Sequence, residues 1–358
     1  MAVHFHPLTI KDIRKETADC VSICFDVPAH LAKDFVFTQG QNITLKALID
    51  GEEIRRSYSV CSSLYENELR VAVKKVEGGK FSTYANDVLK KGMQLDVLSP
   101  TGNFYTGLKK ENKKSYVAFA AGSGITPIIS IIKTAFVTEP ESFFTLVYSN
   151  QNRNSIIFFE ELEGLKNKYM QRFQLVYILT REKTENDITH GRINDEKLNT
   201  LSKLIQYKQA DEFFICGHEE MIFCIKDYLQ NIGIDKKKIH FELFATTKKK
   251  TQKTSDTKNK LAQTAESTIQ VKLDGRIREF AMGYGDHSIL EEALKQGMEL
   301  PFACKGGMCC TCKAKLLEGK VEMDVHWGLE DEEVEKGYIL TCQSHPVTEK
   351  VVIDFDQR

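Results

Sequence analysis

Tyr116-Val117-Ala118-Phe119-Ala120-Ala121-Gly122-Ser123-Gly124-Ile125-Thr126-Pro127 is the stretch on which the architecture turns. Its first six residues are apolar without alternation, which predicts a strand buried on both faces. A helical run follows, to about Val137. Between the two, Gly122-x-Gly124 sits in the strand–turn–helix context that a dinucleotide-binding turn requires, where amides at the helix start face a diphosphate. Pro127 stands where the usual fingerprint has a third glycine, and proline suits the first turn of a helix. An ordinary strand-to-helix turn is the plainer alternative.

Downstream the same alternation repeats. Strands are predicted over Thr145–Tyr148, Gln174–Leu179, Glu212–Cys216 and His240–Leu243, with a helix from about Ser155 to Tyr169. Strand–helix alternation with buried strands predicts a doubly wound parallel sheet, here over residues 111–244. At the end of its second strand Tyr148-Ser149-Asn150 offers no carboxylate for a ribose 2′-hydroxyl, while Arg153 and Arg181 lie near. That pattern favours a 2′-phosphate, hence NADPH, with NADH still possible. Ligands of such sheets lie beyond the carboxyl ends of the strands, so Cys216-Gly217 and Glu242-Leu243-Phe244 belong on the nicotinamide side. Cys216 taken alone reads more simply as a buried core thiol.

Upstream, to about Lys110, short alternating runs predict strands over Ser22–Val27, Asn42–Ile49, Ile54–Cys61 and Leu69–Val76, with one helix at Ser82–Leu89. Asp50-Gly51 is a hairpin signal. Closely spaced strands with little helix predict a small antiparallel barrel over residues 1–110. In it, Arg56-Ser57-Tyr58-Ser59 sends Arg56 and Tyr58 to one side and Ser57 and Ser59 to the other. A guanidinium fork suits a diphosphate, a phenol can stack on a flavin, and a hydroxyl can bond a ring nitrogen. Gly78-Gly79-Lys80-Phe81-Ser82 then forms a glycine turn opening a helix, which is a ready anion site. Together the two segments read as a flavin phosphate clamp.

Residues 245–267 lose apolar periodicity, and from Ala245 to Thr268 there are six lysines against Asp256 and Glu266. We read this as a solvated linker, about 24 residues with a mean span of roughly 27 Å. The last unit, 268–358, opens with a hairpin around Asp274-Gly275 and a capping-box pattern, Ser288 to Glu291. It contains Pro301-Phe302-Ala303-Cys304-Lys305-Gly306-Gly307-Met308-Cys309-Cys310-Thr311-Cys312. Cys304, Cys309 and Cys312 stand in C-x4-C-x2-C spacing with Cys342 further on, the plant-type arrangement for four thiolates around a 2Fe–2S cluster. Gly306 and Gly307 fall where that loop must curl, and amides freed by the curl can point at sulfur. Cys310 reads as a small buried residue. A zinc site from Cys309, Cys312, Cys342 and His345 is the alternative, but it leaves Cys304 and the double glycine without a role.

Bulk properties narrow the class. With 42% hydrophobic and 28% charged residues the composition is that of a globular protein. A formal net charge of −1 argues against nucleic acid as a partner. No apolar run is long enough to span a bilayer, and the first residues lack a signal-peptide pattern, so a cytoplasmic location is expected. Five of the ten cysteines crowd between Cys304 and Cys342, which suggests a metal centre in a reducing compartment.

The order of these motifs, from Arg56–Ser59 through Gly78–Ser82, Gly122–Pro127, Cys216-Gly217 and Glu242–Phe244 to the cysteines, resembles ferredoxin–NADP reductase-type electron-transfer proteins. Within that group the chain is similar to the reductase components of multicomponent oxygenases. The resemblance implies a barrel for FAD, a parallel-sheet domain for NAD(P)H and a β-grasp-like α+β ferredoxin domain. It implies FAD contacts from Arg56, Ser57, Tyr58 and Ser59, phosphate contacts from Gly79, Lys80, Phe81 and Ser82, and an aromatic lid from Phe244. Gly122, Gly124, Thr126, Ser149, Arg153, Arg181, Cys216 and Gly217 would contact the nucleotide, and Ser59, Cys216 and Glu242 would stand at the reacting rings. Electrons would pass from NADPH through FAD and the cluster to an oxygenase or hydroxylase. An NADH-linked reductase of an aromatic-ring or steroid hydroxylase, and a zinc-binding adaptor without activity, are the competing readings. His218 stands where the family often has proline, and Leu243 where it often has arginine.

Overall fold

The computed structural model describes residues 4–184, 186–245, 266–284 and 287–357. The first unit is β1 (Phe5–Thr17), β2 (Cys20–Asp26), β3 (Asn42–Ile49), β4 (Glu52–Ser59), β5 (Leu69–Lys74), the helix α1 (Lys80–Asp87) and β6 (Gln94–Leu98). The strands lie in the order β4-β3-β6-β1-β2-β5, all antiparallel. A bridge between Val60 and Val71 joins the two ends into a barrel. Asp50 and Gly51, with φ of 52° and 77°, form the tight turn that pairs Ile49 with Glu52. Two strands are not legible in the sequence pattern. β1 is bulged between Ile10 and Asp12 and again between Lys15 and Thr17, so its alternation breaks twice. β6 is only five residues long.

The second unit is β7 (Ser115–Ala121), α2 (Ile125–Thr138), β8 (Phe143–Asn150), α3 (Phe159–Lys168), β9 (Phe173–Leu179), α4 (Asp195–Leu201), β10 (Glu212–His218), α5 (Glu219–Asn231) and β11 (Ile239–Ala245). Its sheet runs β11-β10-β7-β8-β9, entirely parallel. Alternate residues of β7 serve opposite cores: Tyr116, Ala118 and Ala120 pack with α2 and α3, Val117 and Phe119 with α4 and α5. Burial on both faces explains the unbroken apolar run. The strand order reverses between β7 and β10, which opens a crevice at their carboxyl ends.

The third unit is β12 (Glu266–Leu273), β13 (Arg276–Gly283), α6 (Ile289–Lys295), β14 (Lys313–Glu318), β15 (Val321–Met323), α7 (Asp331–Glu335), β16 (Tyr338–Leu340), β17 (Ser344–Pro346) and β18 (Lys350–Asp354). β12 and β18 form a parallel central pair in the mixed order β13-β12-β18-β14-β16, with α6 packed against the sheet's core. This is the expected β-grasp arrangement. The capping box at Ser288 is one-sided. Its hydroxyl accepts from the Glu291 amide at 3.3 Å, while the Glu291 carboxylate turns to His287 at 3.5 Å. Most of the lysine-rich segment read as a linker lies outside the described residues.

The third unit sits against both others. Arg55 of the barrel lies 4.2 Å over the Phe302 ring, and Thr44 is 3.3 Å from Thr311. From the parallel-sheet unit, Phe223 meets Trp327 at 5.2 Å, and Lys236 pairs with Asp331 at 2.7 Å. No helix among the described residues is long and apolar enough to cross a membrane.

Candidate active site

The cysteine loop leaves Leu300 and returns into β14 through left-handed positions at Lys305, Gly307 and Cys310. Only glycine serves at 307: besides its φ of +74°, an added Cβ would lie 2.8 Å from the Val325 side chain. The curl brings the four expected thiols together, Cys304 beside Cys309 and Cys312 beside Cys342. The neighbouring thiol in each case lowers Cys309 and Cys342. Backbone amides join in, the Gly306 N–H reaching the Cys304 sulfur at 3.3 Å. Cys310 is turned away and donates to the Gly328 carbonyl.

Beside this loop lies a second junction. Ser59, at the end of β4, donates to Glu242 Oε2 at 3.2 Å. Glu242 is in register with Cys216 on the neighbouring strand, close enough to interact electrostatically with Cys216 and to feel Cys309. Burial pushes the Glu242 carboxyl up to about 8, against the lowering effect of the Ser59 bond. Burial also raises Cys216 far above the ordinary thiol range. Ser59, Cys216, Glu242 and Cys309, from four segments, therefore meet in one place.

The alternation read along Arg56–Ser59 holds. Ser57 is 3.5 Å from Thr311, facing the third unit, and Ser59 faces Glu242. On the other side Tyr58 packs on Phe81 at 5.6 Å, at the start of α1. Arg56 and Lys80 flank one carboxylate, Glu52, which Lys80 bonds directly. Gly79 caps α1, and a Cβ there would fall 2.5 Å from Ser82 Oγ.

The crevice at the carboxyl ends of β7, β8, β9 and β10 is a cleft of about 680 Å³, lined by Gly122, Ser149, Arg181, Gly217 and Phe244 among the expected residues. Gly124 lies below it, where a Cβ would come within 2.2 Å of the Cys216 carbonyl oxygen. Three more expected contacts are not in the lining, and one of them, Cys216, is fully buried in the core. Thr126 is buried and donates to the Ser123 carbonyl at 3.0 Å, tying the turn. Arg153 stacks 4.8 Å over the Phe159 ring.

Comparison with known proteins fits this geometry. Residues 7–105 match the oxidoreductase FAD-binding domain, 119–227 the oxidoreductase NAD-binding domain, and 271–347 the 2Fe-2S iron-sulfur cluster binding domain. The chain is 45% identical to a subunit of the 1,2-phenylacetyl-CoA epoxidase of Escherichia coli, over 99% of this chain and 98% of that protein. It is 32% identical to the ferredoxin reductase component of the Rhodococcus rhodochrous 3-ketosteroid-9-alpha-monooxygenase, over 97% and 96%. The chain belongs to the reductase components of multicomponent oxygenases. Among solved structures, phthalate dioxygenase reductase superimposes on this reductase with a TM-score of 0.58 at 22% identity, each chain covered to 98%.

The reductase is thus an oxidoreductase using FAD, a nicotinamide nucleotide and a 2Fe–2S cluster, and its residues fit these groups. A 2Fe–2S cluster would be held by Cys304, Cys309, Cys312 and Cys342, four thiols that lie close to one another. The match over residues 271–347 is to a 2Fe-2S cluster binding domain, the reading that gives Cys304 the role the zinc alternative leaves it without. For the flavin there is an orphan acceptor, Asn42 Oδ1, buried without a partner in register with Ser59. Sequence reasoning missed Asn42, and also Lys74 and Arg192, which line the nucleotide cleft. None carries a local motif. Lys74 comes from the barrel and only folding brings it to the cleft.

Proposed function

We propose that this reductase serves a phenylacetyl-CoA epoxidase, taking electrons from NADPH. The observation that carries the first part is full-length identity of 45% to an epoxidase subunit, against 32% to a steroid monooxygenase reductase. For the nucleotide, support comes from Arg181 and Arg192 in the cleft and from the absence of an acidic residue at the end of β8. Of the units expected at 1–110, 111–244 and 268–358, the second is taken to end at Ala245 and the third to start at Glu266, where β11 closes and β12 opens, and a reducing cytoplasm suits four cluster thiolates.

The barrel would hold FAD, which would supply hydride acceptance, and the four cysteines a cluster, which would supply one-electron relay. The chain's part is positioning. Arg56, Lys80 and the α1 amides from Gly79 to Ser82 hold the flavin's phosphates, and Tyr58 packs on its ring. The first turn of α1 contains no acidic residue to oppose them. Ser59 and Asn42 address the ring's polar edge. Gly122 and Gly124 let the nucleotide's diphosphate approach the start of α2, and Phe244 covers the cleft. Cys216, fully buried beside Glu242, would act from behind the cleft surface rather than on it. Glu242 keeps its proton at neutral pH and so adds no charge where a hydride arrives. Cys304, Cys309, Cys312 and Cys342 hold the cluster beside this junction.

Reconstitution is the test. With the oxygenase component of a phenylacetyl-CoA epoxidase, phenylacetyl-CoA and NADPH, product should form only when the reductase is present. Coupling to a steroid hydroxylase instead, with NADH preferred, would replace this reading with the NADH-linked one.

A further inference from the structure

Asn150 closes β8, and its side chain is an anomaly in the reductase. The residue is 5% exposed, it lines the nucleotide cleft, and neither Oδ1 nor Nδ2 has a partner at ordinary hydrogen-bond geometry, the Tyr148 hydroxyl being the nearby polar group that acts on it. The groups around it are already committed. The Tyr148 hydroxyl beside it donates to the Gly122 carbonyl at 2.8 Å. Asn150's own carbonyl accepts from the Thr180 amide at 2.9 Å. A buried carboxamide with both ends idle costs stability, and such a group in a cleft marks a place where a ligand completes the bonding.

We propose that the Asn150 carboxamide binds the 3′-hydroxyl of the nucleotide's adenosine ribose. This rests on the reading of the cleft as the nicotinamide-nucleotide site and specifies which group recognises the ribose there. Chemistry selects a hydroxyl. A carboxamide offers one acceptor and an NH₂ donor, and a hydroxyl both gives and accepts a hydrogen bond. A phosphate oxygen only accepts, which would leave Oδ1 still idle. Position agrees. With the diphosphate at the Gly122 turn, the adenosine ribose falls at the end of the second strand of a doubly wound sheet. The 3′-hydroxyl is the one that NADH and NADPH share. Neutrality matters too, since an aspartate here would bind hydroxyls but repel a 2′-phosphate, whereas asparagine admits both nucleotides.

The test uses the full chain loaded with FAD and cluster, following dye reduction with NADPH, NADH and 3′-deoxy-NADH. Asn150→Leu should raise KM for NADPH and NADH about ten-fold with a smaller effect on kcat. Its melting temperature without nucleotide should hold or rise, because the idle carboxamide is gone. A structural role would move these two readouts the same way; this role moves them apart. Wild type should lose about ten-fold in kcat/KM on 3′-deoxy-NADH relative to NADH, and Asn150→Leu should lose almost none. Asn150→Asp should discriminate against NADPH more than against NADH. Unchanged KM in Asn150→Leu, or an equal 3′-deoxy penalty in wild type and variant, overturns the proposal. So does a fall in melting temperature with release of FAD. If wild type reduces the dye with neither NADH nor NADPH, the reading of the cleft itself falls, a result distinct from these.

Discussion

Glu242 holds a proton that a free glutamate would have lost, because burial raises it to about 8. Its acidity is lower folded than unfolded, so its contribution to stability is full below about 4.5 and is lost as pH rises through about 8. Glu242→Gln keeps a neutral group at all pH values. Urea unfolding should therefore show the variant gaining on wild type between pH 6 and pH 9, by an amount on the order of a few kcal/mol. A gap that does not change with pH would mean the carboxyl is ionised in the folded protein. Ser59→Ala removes the hydroxyl that bonds Glu242, proposed above to face the flavin ring, and spares the groups proposed to hold the diphosphate. Stopped-flow flavin reduction should slow by about ten- to a hundred-fold with FAD retained. An unchanged rate would take Ser59 out of the site. At this scale the sequence is most legible where function is local. The four cluster cysteines and Arg56–Ser59 announce themselves by spacing, but the Ser59–Glu242 bond spans 183 positions and no pattern reports it.

Elements are legible where their period is clean. β3 spans Asn42–Ile49 as expected, because alternation and the Asp50-Gly51 turn agree. β1 and β6 escape because bulges and brevity destroy the period. The turn between β7 and α2 reads as a diphosphate site, yet its glycines serve packing as much. Gly122 has open space where a Cβ would be, so it is free for a ligand, while Gly124 rests on the backbone of β10. Gly124→Ala would place a methyl 2.2 Å from the Cys216 carbonyl oxygen, and the neighbour there is main chain that cannot rotate away. The substitution should lower stability by about 1–3 kcal/mol and raise KM for the nucleotide. The barrel and the cysteine loop are separate elements, so FAD and cluster absorbance should survive. Thermal melting and the visible spectrum check both halves.

Across the whole molecule, three units meet where electrons must pass. The cysteine-bearing unit is held to the nucleotide unit partly by Lys236–Asp331 at 2.7 Å and Lys237–Glu332 at 3.4 Å, all four side chains more than 60% exposed. Such exposed pairs are weak and are screened by salt. Raising salt from about 0.1 M to about 1 M, where the screening length falls to ~3 Å, should therefore slow flavin-to-cluster transfer while leaving hydride transfer intact. Trp327, the sole tryptophan, packs on Phe223 at this boundary and its fluorescence should change in step. Lys236→Glu with Lys237→Glu should lower the transfer rate at low salt and flatten its salt dependence. None of this docking is legible in the sequence, since each partner residue reads alone as a solvated charge or an isolated aromatic.

Paired electrons are proposed to enter at the nucleotide cleft and to leave singly through the four-cysteine centre. Anaerobic oxidation of NADPH by the reductase with cytochrome c as acceptor tests this most directly, comparing wild type with Cys342→Ser. Wild type should reduce two cytochromes per NADPH, and Cys342→Ser should lose that activity while still reducing a two-electron dye at the flavin. Equal rates of cytochrome reduction in the two proteins would show that the cluster is not in the path.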